Sequence, residues 1–208
     1  MTEPRRLSYD EGCIAAHALD LIGDRWALLV VREMMLGPRR FSDLRGGLPG
    51  ISANVLTQRL EGLEAAGLIS RDGRAYGLTA AGEALWPVIR ALCRWGAAQP
   101  GHDPRLFISP TALMLSMRAM CARDRAGEAL VCIHAGGDPF TIRTAPGHYR
   151  VTRGPDEAAR LVFSGNTNAL AAAVYGPMPL AMTAQGLIGF DGDPAEGQAF
   201  IDLFALKP

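Results

Sequence analysis

The sequence predicts an α+β chain in two parts: a helical first part, and a second in which short β-rich runs alternate with helices. Three observations lead there. From Cys13 to Ala97 apolar residues recur mostly at helical spacing. The segment AAQPGHDPR (Ala97–Arg105) holds Pro100, Gly101 and Pro104, which end a helix and resist a new one. Beyond it, runs such as ALVCIHA and PFTIRTA are separated by Gly, Pro and Asp turns. The division expected is therefore residues 1–99 and residues 105–208. With 208 residues, 49% hydrophobic and 20% charged, the chain can bury an ordinary core. Its 21 basic and 21 acidic residues cancel, which excludes a globally basic nucleic-acid binder but not a local basic face. All but one of the fixed positive charges are arginines, suited to phosphates and guanines.

In chain order, CIAAHALDLIG (Cys13–Gly23) reads as a helix stopped by Gly23. Asp24 can cap the next, RWALLVVREMMLG, which is apolar almost all round and so central. Gly37-Pro38 breaks it. RRFSDLRGGLP gives a short helix ended by Gly46, Gly47 and Pro49. Ser52 then caps a helix to Ala66, with Leu56, Leu60 and Leu63 as its buried row and Gly67 as its αL stop. Two short runs flanking Asp72-Gly73 predict a tight β-hairpin. Thr79 caps a long helix reaching Ala97, with Pro87 at a kink or in an early turn.

Short helix, sharp turn, capped second helix and arginine-bearing hairpin make a winged helix-turn-helix, a motif that puts its second helix in the DNA major groove. The residues themselves, IGDRW, LGPRRFSDL, LPGIS and YGLTAAGEAL in order, resemble the HxlR-type family of bacterial transcriptional regulators over residues 11–97. The resemblance implies a homodimer, paired largely through terminal helices, on a two-fold operator.

On the helix from Ser52, the face away from the leucines carries Ala53, Asn54, Thr57, Gln58 and, at its edge, Arg59. Asn and Gln can bond adenine bidentately, Arg can do so with guanine, and methyls of Ala or Thr can meet a thymine methyl. Ser52, at a helix N-terminus, suits a phosphate. Arg39, Arg40, Arg45, Arg71 and Arg74 are the expected backbone contacts that set affinity and salt dependence. The competing reading is a winged helix used only for protein contacts.

Cys13 starts the first helix, where amide N–H groups favour a thiolate. In the resembled family a cysteine at this place serves some members as a thiol switch. This chain departs from the pattern by having Ile14 where proline commonly follows. A small apolar filler is the plainer alternative.

In the second part Ser109-Pro110 opens a helix. Four β-like runs follow, then a helix over NTNALAAAVYG, a shorter one in PLAMTAQG, a strand in LIGFDGD and a final helix capped by Asp193-Pro194. Four or five strands of a mostly antiparallel sheet with helices on one face are expected. From ARLVFSGNTNALAAAVYG through GLIGFDGDPAEGQAFIDLF, this part resembles the sterol-carrier-protein-type lipid-binding domain. That implies an apolar tunnel, with Met114, Met117, Phe163, Tyr175, Met178, Met182, Phe190, Phe200 and Phe204 as candidate lining. Ordinary core is the alternative for each. Arg143 or Arg150 could anchor a carboxylate.

No G-x-S-x-G elbow, GxGxxG spacing or EF-hand loop appears, so no enzyme, cofactor or metal is expected. Neither a secretory h-region nor an apolar run of about eighteen residues is present, and the four cysteines form no CxxC pair. A cytoplasmic protein with reduced thiols follows as the expectation. The function expected is a homodimeric operator-binding regulator whose second domain senses a small apolar or amphipathic molecule. The alternatives are a lipid carrier on a regulator-like scaffold, a second domain kept only for packing, or a redox sensor through Cys13.

Overall fold

Leucines spaced four and three apart anchor the first unit of the chain; the computed structural model describes residues 8–206 in all. Chain contacts part between Leu85 and Trp86. Ahead of that point lie α1 (Ile14–Ile22), α2 (Ala27–Met34), β1 (Arg39–Arg40), α3 (Phe41–Gly47), α4 (Ala53–Ala65), β2 (Ile69–Asp72), β3 (Ala75–Leu78) and α5 (Ala80–Glu83). Val30, Val31 and Met34 of α2, Leu44 of α3 and Leu56, Leu60 and Leu63 of α4 are each at most 2% exposed. The Ser52 hydroxyl accepts from the Val55 N–H at 3.3 Å, the cap expected at the start of α4.

Three local features differ from expectation. Arg39 and Arg40 form a two-residue strand on β3, in the sheet order β1-β3-β2, and two residues carry no readable periodicity. Asp72 pairs with Ala75, so the hairpin loop is Gly73-Arg74 rather than Asp72-Gly73. Gly73 takes φ +55° at the first loop position, where the lack of a Cβ removes the strain. The helix predicted from Thr79 to Ala97 is two helices. Thr79 Oγ1 accepts from the Gly82 N–H at 3.3 Å and donates to the Gly67 carbonyl at 2.6 Å, but α5 ends at Glu83.

A buried acid went unread in the sequence. Glu33, 1% exposed, accepts from Arg32 Nε at 3.0 Å and Nη2 at 2.7 Å. It also abuts Gly47, where a Cβ would stand 2.6 Å from its Oε2. Gly47 therefore makes room for a carboxylate inside α3 as well as standing near the helix end.

The second unit begins with α6 (Trp86–Ala97), which carries Pro87 in its first turn, where a missing N–H costs no helical bond. It continues through α7 (Pro110–Met120), a 3₁₀ turn (Arg123–Arg125), β4 (Ala129–Ala135), β5 (Asp138–Ala145), β6 (His148–Arg153), β7 (Leu161–Gly165), α8 (Thr167–Tyr175), α9 (Leu180–Thr183), β8 (Gly189–Asp191) and α10 (Pro194–Ile201). Because α6 packs on α7, the Pro/Gly segment of residues 97–105 lies within this unit, and the break in contacts falls earlier than the sequence suggested. The five strands run β6-β5-β4-β7-β8. All pairs are antiparallel except β4 with β7, where Ile133 stands beside Phe163. Asp193 caps α10 by accepting from the N–H groups of Ala195 and Glu196, both at 2.9 Å.

Candidate nucleic-acid interface

The α3–α4 pair is held from behind and open in front. Leu44 fixes α3, and the connecting turn tucks Leu48 (2% exposed) and Ile51 (6%) inward. Gly50 turns the chain there with φ +88°. On α4, residues three and four apart share a face. Leu56, Leu60 and Leu63 point to the core, while Asn54, Thr57 and Gln58 are exposed together, with Ser52 exposed at the helix start. Ala53 is half-buried beside them. This surface presents a carboxamide pair, a hydroxyl and a methyl, all uncharged, and can exchange directional hydrogen bonds with base edges.

Arg59, expected at the edge of that face, is half-buried, with Nη1 ion-paired to Asp24 Oδ2 at 3.3 Å. Its geometry is that of a tie between α4 and the turn before α2. The same Asp24 accepts from the Trp26 N–H at 2.9 Å, so it organises the entry to α2 without being its N-cap residue.

The other arginines stand on β1, α3 and the β2–β3 hairpin in different settings. Arg39 is half-buried opposite Tyr76, and Arg40 is exposed opposite Ala75. The Arg40 backbone N–H donates to Asp43 Oδ2 at 3.3 Å, which steadies the entry to α3. Arg45 is exposed in the last turn of α3. Arg71 stands opposite Tyr76 with its guanidinium 5.5 Å from the ring centroid and Nε donating to the Gly73 carbonyl at 3.0 Å. Arg74 is exposed at the hairpin tip. Arg40, Arg45 and Arg74 are thus the ones presented most openly to a polyanion, whereas Arg71 is partly committed to holding the tip.

Residues 21–103 match the family described as HxlR-like helix-turn-helix. The HTH-type transcriptional regulator Rv3095 of Mycobacterium tuberculosis is 35% identical over 161 residues, spanning 74% of this chain and 94% of that protein. The chain belongs to the HxlR-like family of helix-turn-helix transcriptional regulators. With three-quarters of the regulator spanned, the likeness to Rv3095 must extend past residue 103 into the second unit. The regulator YkvN of Bacillus subtilis is 39% identical over 84 residues, covering 37% of this chain and 71% of that protein. Among solved structures, quinone-bound YodB from B. subtilis is 34% identical, with 39% of this chain and 93% of that chain covered at a TM-score of 0.38.

In the second unit of the regulator, the nine residues suggested as a tunnel lining do not converge on one space. Met114 and Met117 are fully buried in α7. Phe163 packs on Phe190 and Phe200 at centroid distances of 4.9 and 5.8 Å, and Phe200 on Phe204 at 5.2 Å, so these rings fill the core around α10. Tyr175, Met178 and Phe204 border a surface cleft of about 630 Å³ between the end of α8 and the chain after α10. Phe200 faces another, of about 430 Å³. Met182 is 61% exposed. The aromatic pattern could not separate core from lining because both need the same residue types. Of the two anchors considered, Arg143 is exposed and paired with Asp156, and Arg150 is exposed on β6.

Cys13 is the exposed N-cap residue of α1. Its thiol makes no cap hydrogen bond of normal geometry, yet the nearby amides of Ala16 and Ala15 hold its pKa below the ordinary thiol value. Cys121, by contrast, is buried, and desolvation pushes its thiol up.

Proposed function

We propose that the regulator binds a two-fold operator as a homodimer, with α4 in the major groove and the Gly73-Arg74 tip beside the backbone or in the minor groove. The observation that carries this reading is the exposed Asn54, Thr57 and Gln58 set directly across α4 from a leucine row that is at most 2% exposed. Sequence reading belongs to that trio; Ser52, Arg40, Arg45 and Arg74 supply contacts to phosphate, supported by Arg39 and Arg71. Arg59 is left out of the reading set, because its charge serves Asp24. Pairing is supported by α6, which exposes Val88 (40%), Leu92 (48%) and Trp95 (66%) at spacings of four and three. An apolar row on a helix of this kind suits a second copy.

Gln58→Ala is expected to cost about 1–3 kcal/mol on operator DNA, the worth of one bidentate base contact. Random duplex binding should stay unchanged. Equal losses on both DNAs in a gel-shift titration would remove Gln58 from base reading.

The second unit is read as the sensing part, in keeping with its strand–helix–helix–strand–helix order from β7 to α10. Mass spectrometry under native conditions tests for a bound molecule. A second signal, oxidation or electrophile addition at Cys13, is favoured by that thiol's exposure and lowered pKa. Iodoacetamide at neutral pH should label Cys13 faster than Cys93, Cys121 or Cys132, with a pH midpoint below that of a free thiol. Uniform labelling, or labelling that leaves operator affinity untouched, rejects the switch.

A further inference from the structure

Three guanidiniums gather in the second unit, those of Arg90, Arg118 and Arg123. Trp86 and Arg90 lie one turn apart on α6 and share a face. The Arg118 guanidinium of α7 sits 4.2 Å from the centroid of the Trp86 ring. Arg123, in the 3₁₀ turn after α7, donates from Nη2 to the Arg118 carbonyl at 3.4 Å. All three arginines are half-buried, and among the described residues none is ion-paired with a carboxylate. Asp124, the acid next to Arg123, is exposed. Burial, and then the charges of Arg123 and Arg90, hold the Arg118 pKa below its ordinary value.

Tyr149 adds a second, independent feature. It stands on β6, on which α7 packs, and is 7% exposed, yet among the described residues its buried hydroxyl has no hydrogen-bond partner. Arg90 Nε is likewise buried without one. The neighbouring Tyr175 hydroxyl is engaged by Ser116 at 2.6 Å, so the orphan is Tyr149 alone of the two. Buried donors without acceptors and crowded like charges are both costly, and they concentrate where a site is built for a ligand. One oxyanion can accept from the guanidiniums and the phenol together, in charge-assisted bonds.

We propose that Arg90, Arg118, Arg123 and the Tyr149 hydroxyl bind the oxyanion head, carboxylate or phosphate, of a small organic molecule whose body lies against the Trp86 and Tyr149 rings. This names the ligand class for the sensing role above and rests on that reading only for its regulatory consequence.

The test is calorimetric titration of the full chain at fixed ionic strength with sodium octanoate, inorganic phosphate and 1-octanol. One of the two anions binds, and which one identifies the carboxylate or the phosphate source. Arg118→Gln weakens that binding about tenfold or more, the loss of a charge-assisted contact. Tyr149→Phe weakens it about threefold to tenfold, while the melting temperature holds or rises, since only an unpaired hydroxyl is removed. The proposal is overturned if neither anion binds, if octanol binds as tightly as octanoate, or if both variants bind like the wild type. Anion binding that leaves operator affinity unchanged upholds the site and rejects sensing.

Discussion

Leu56→Ala is expected to destabilise the first unit by about 2–5 kcal/mol, the range for emptying a fully buried leucine site. Leu56 is 0% exposed, and with Leu60 and Leu63 it forms the row by which α4 rests on its scaffold. Helix α4 packs against α2, whose Val30 and Val31 are also 0% exposed, so a methyl-lined void has no water to fill it. Domains of this size carry only about 5–15 kcal/mol in total. The variant should therefore show a clear fall in denaturant midpoint, and operator binding should fall with it although no DNA-facing atom has changed. Thr57→Ala, one residue away but exposed, should shift stability by no more than about 0.5 kcal/mol. Equal melting of Leu56→Ala and the wild type would mean that the leucine row does not hold the helix.

Gly82→Ala should destabilise by about 1–3 kcal/mol or more, against the helix propensity of alanine. In an open helix the same change gains up to about 1 kcal/mol. Here a Cβ on Gly82 would stand 2.1 Å from the Leu68 carbonyl oxygen. That oxygen already accepts from the Thr79 N–H at 3.0 Å, the bond that ties the start of α5 to the residue just before β2. Neither atom is the end of a flexible side chain, so backbone must move. Gly62, within α4, supplies the contrast: a Cβ there would meet nothing within 4 Å, so Gly62→Ala should stabilise. Thermal melts of the two variants should therefore move in opposite directions; movement in the same direction would refute the steric argument.

The helices of both units were largely legible because their signals are local. A cap needs its acceptor two or three residues from the donor, and Ser52, Thr79, Ser109 and Asp193 each satisfy that in the structure. The leucine row of α4 needs only the 3.6-residue period. The polar face opposite it could be read for the same reason, since whatever is not in the row must face elsewhere. The DNA-binding family could be read from ordered motifs within residues 11–97.

What the sequence left open depends on partners far along the chain. Arg59 looks like any exposed arginine until Asp24, thirty-odd residues earlier, is brought beside it. Strand β1 exists only because β3 returns to pair with two arginines. Gly82 is a helix glycine by sequence and a contact glycine by virtue of Leu68. The phenylalanines of the second unit could be core or tunnel wall until their rings were seen packed on one another. Arg90, Arg118, Arg123 and Tyr149 come from four separate elements and share no motif. The chain by itself determined most of its helices, the exposed polar face of α4 and its family, since period, caps and motifs act over a few neighbouring residues. Tertiary structure alone decided which charges are paired within the protein and which are not, because ion pairing and burial are set by distance in space.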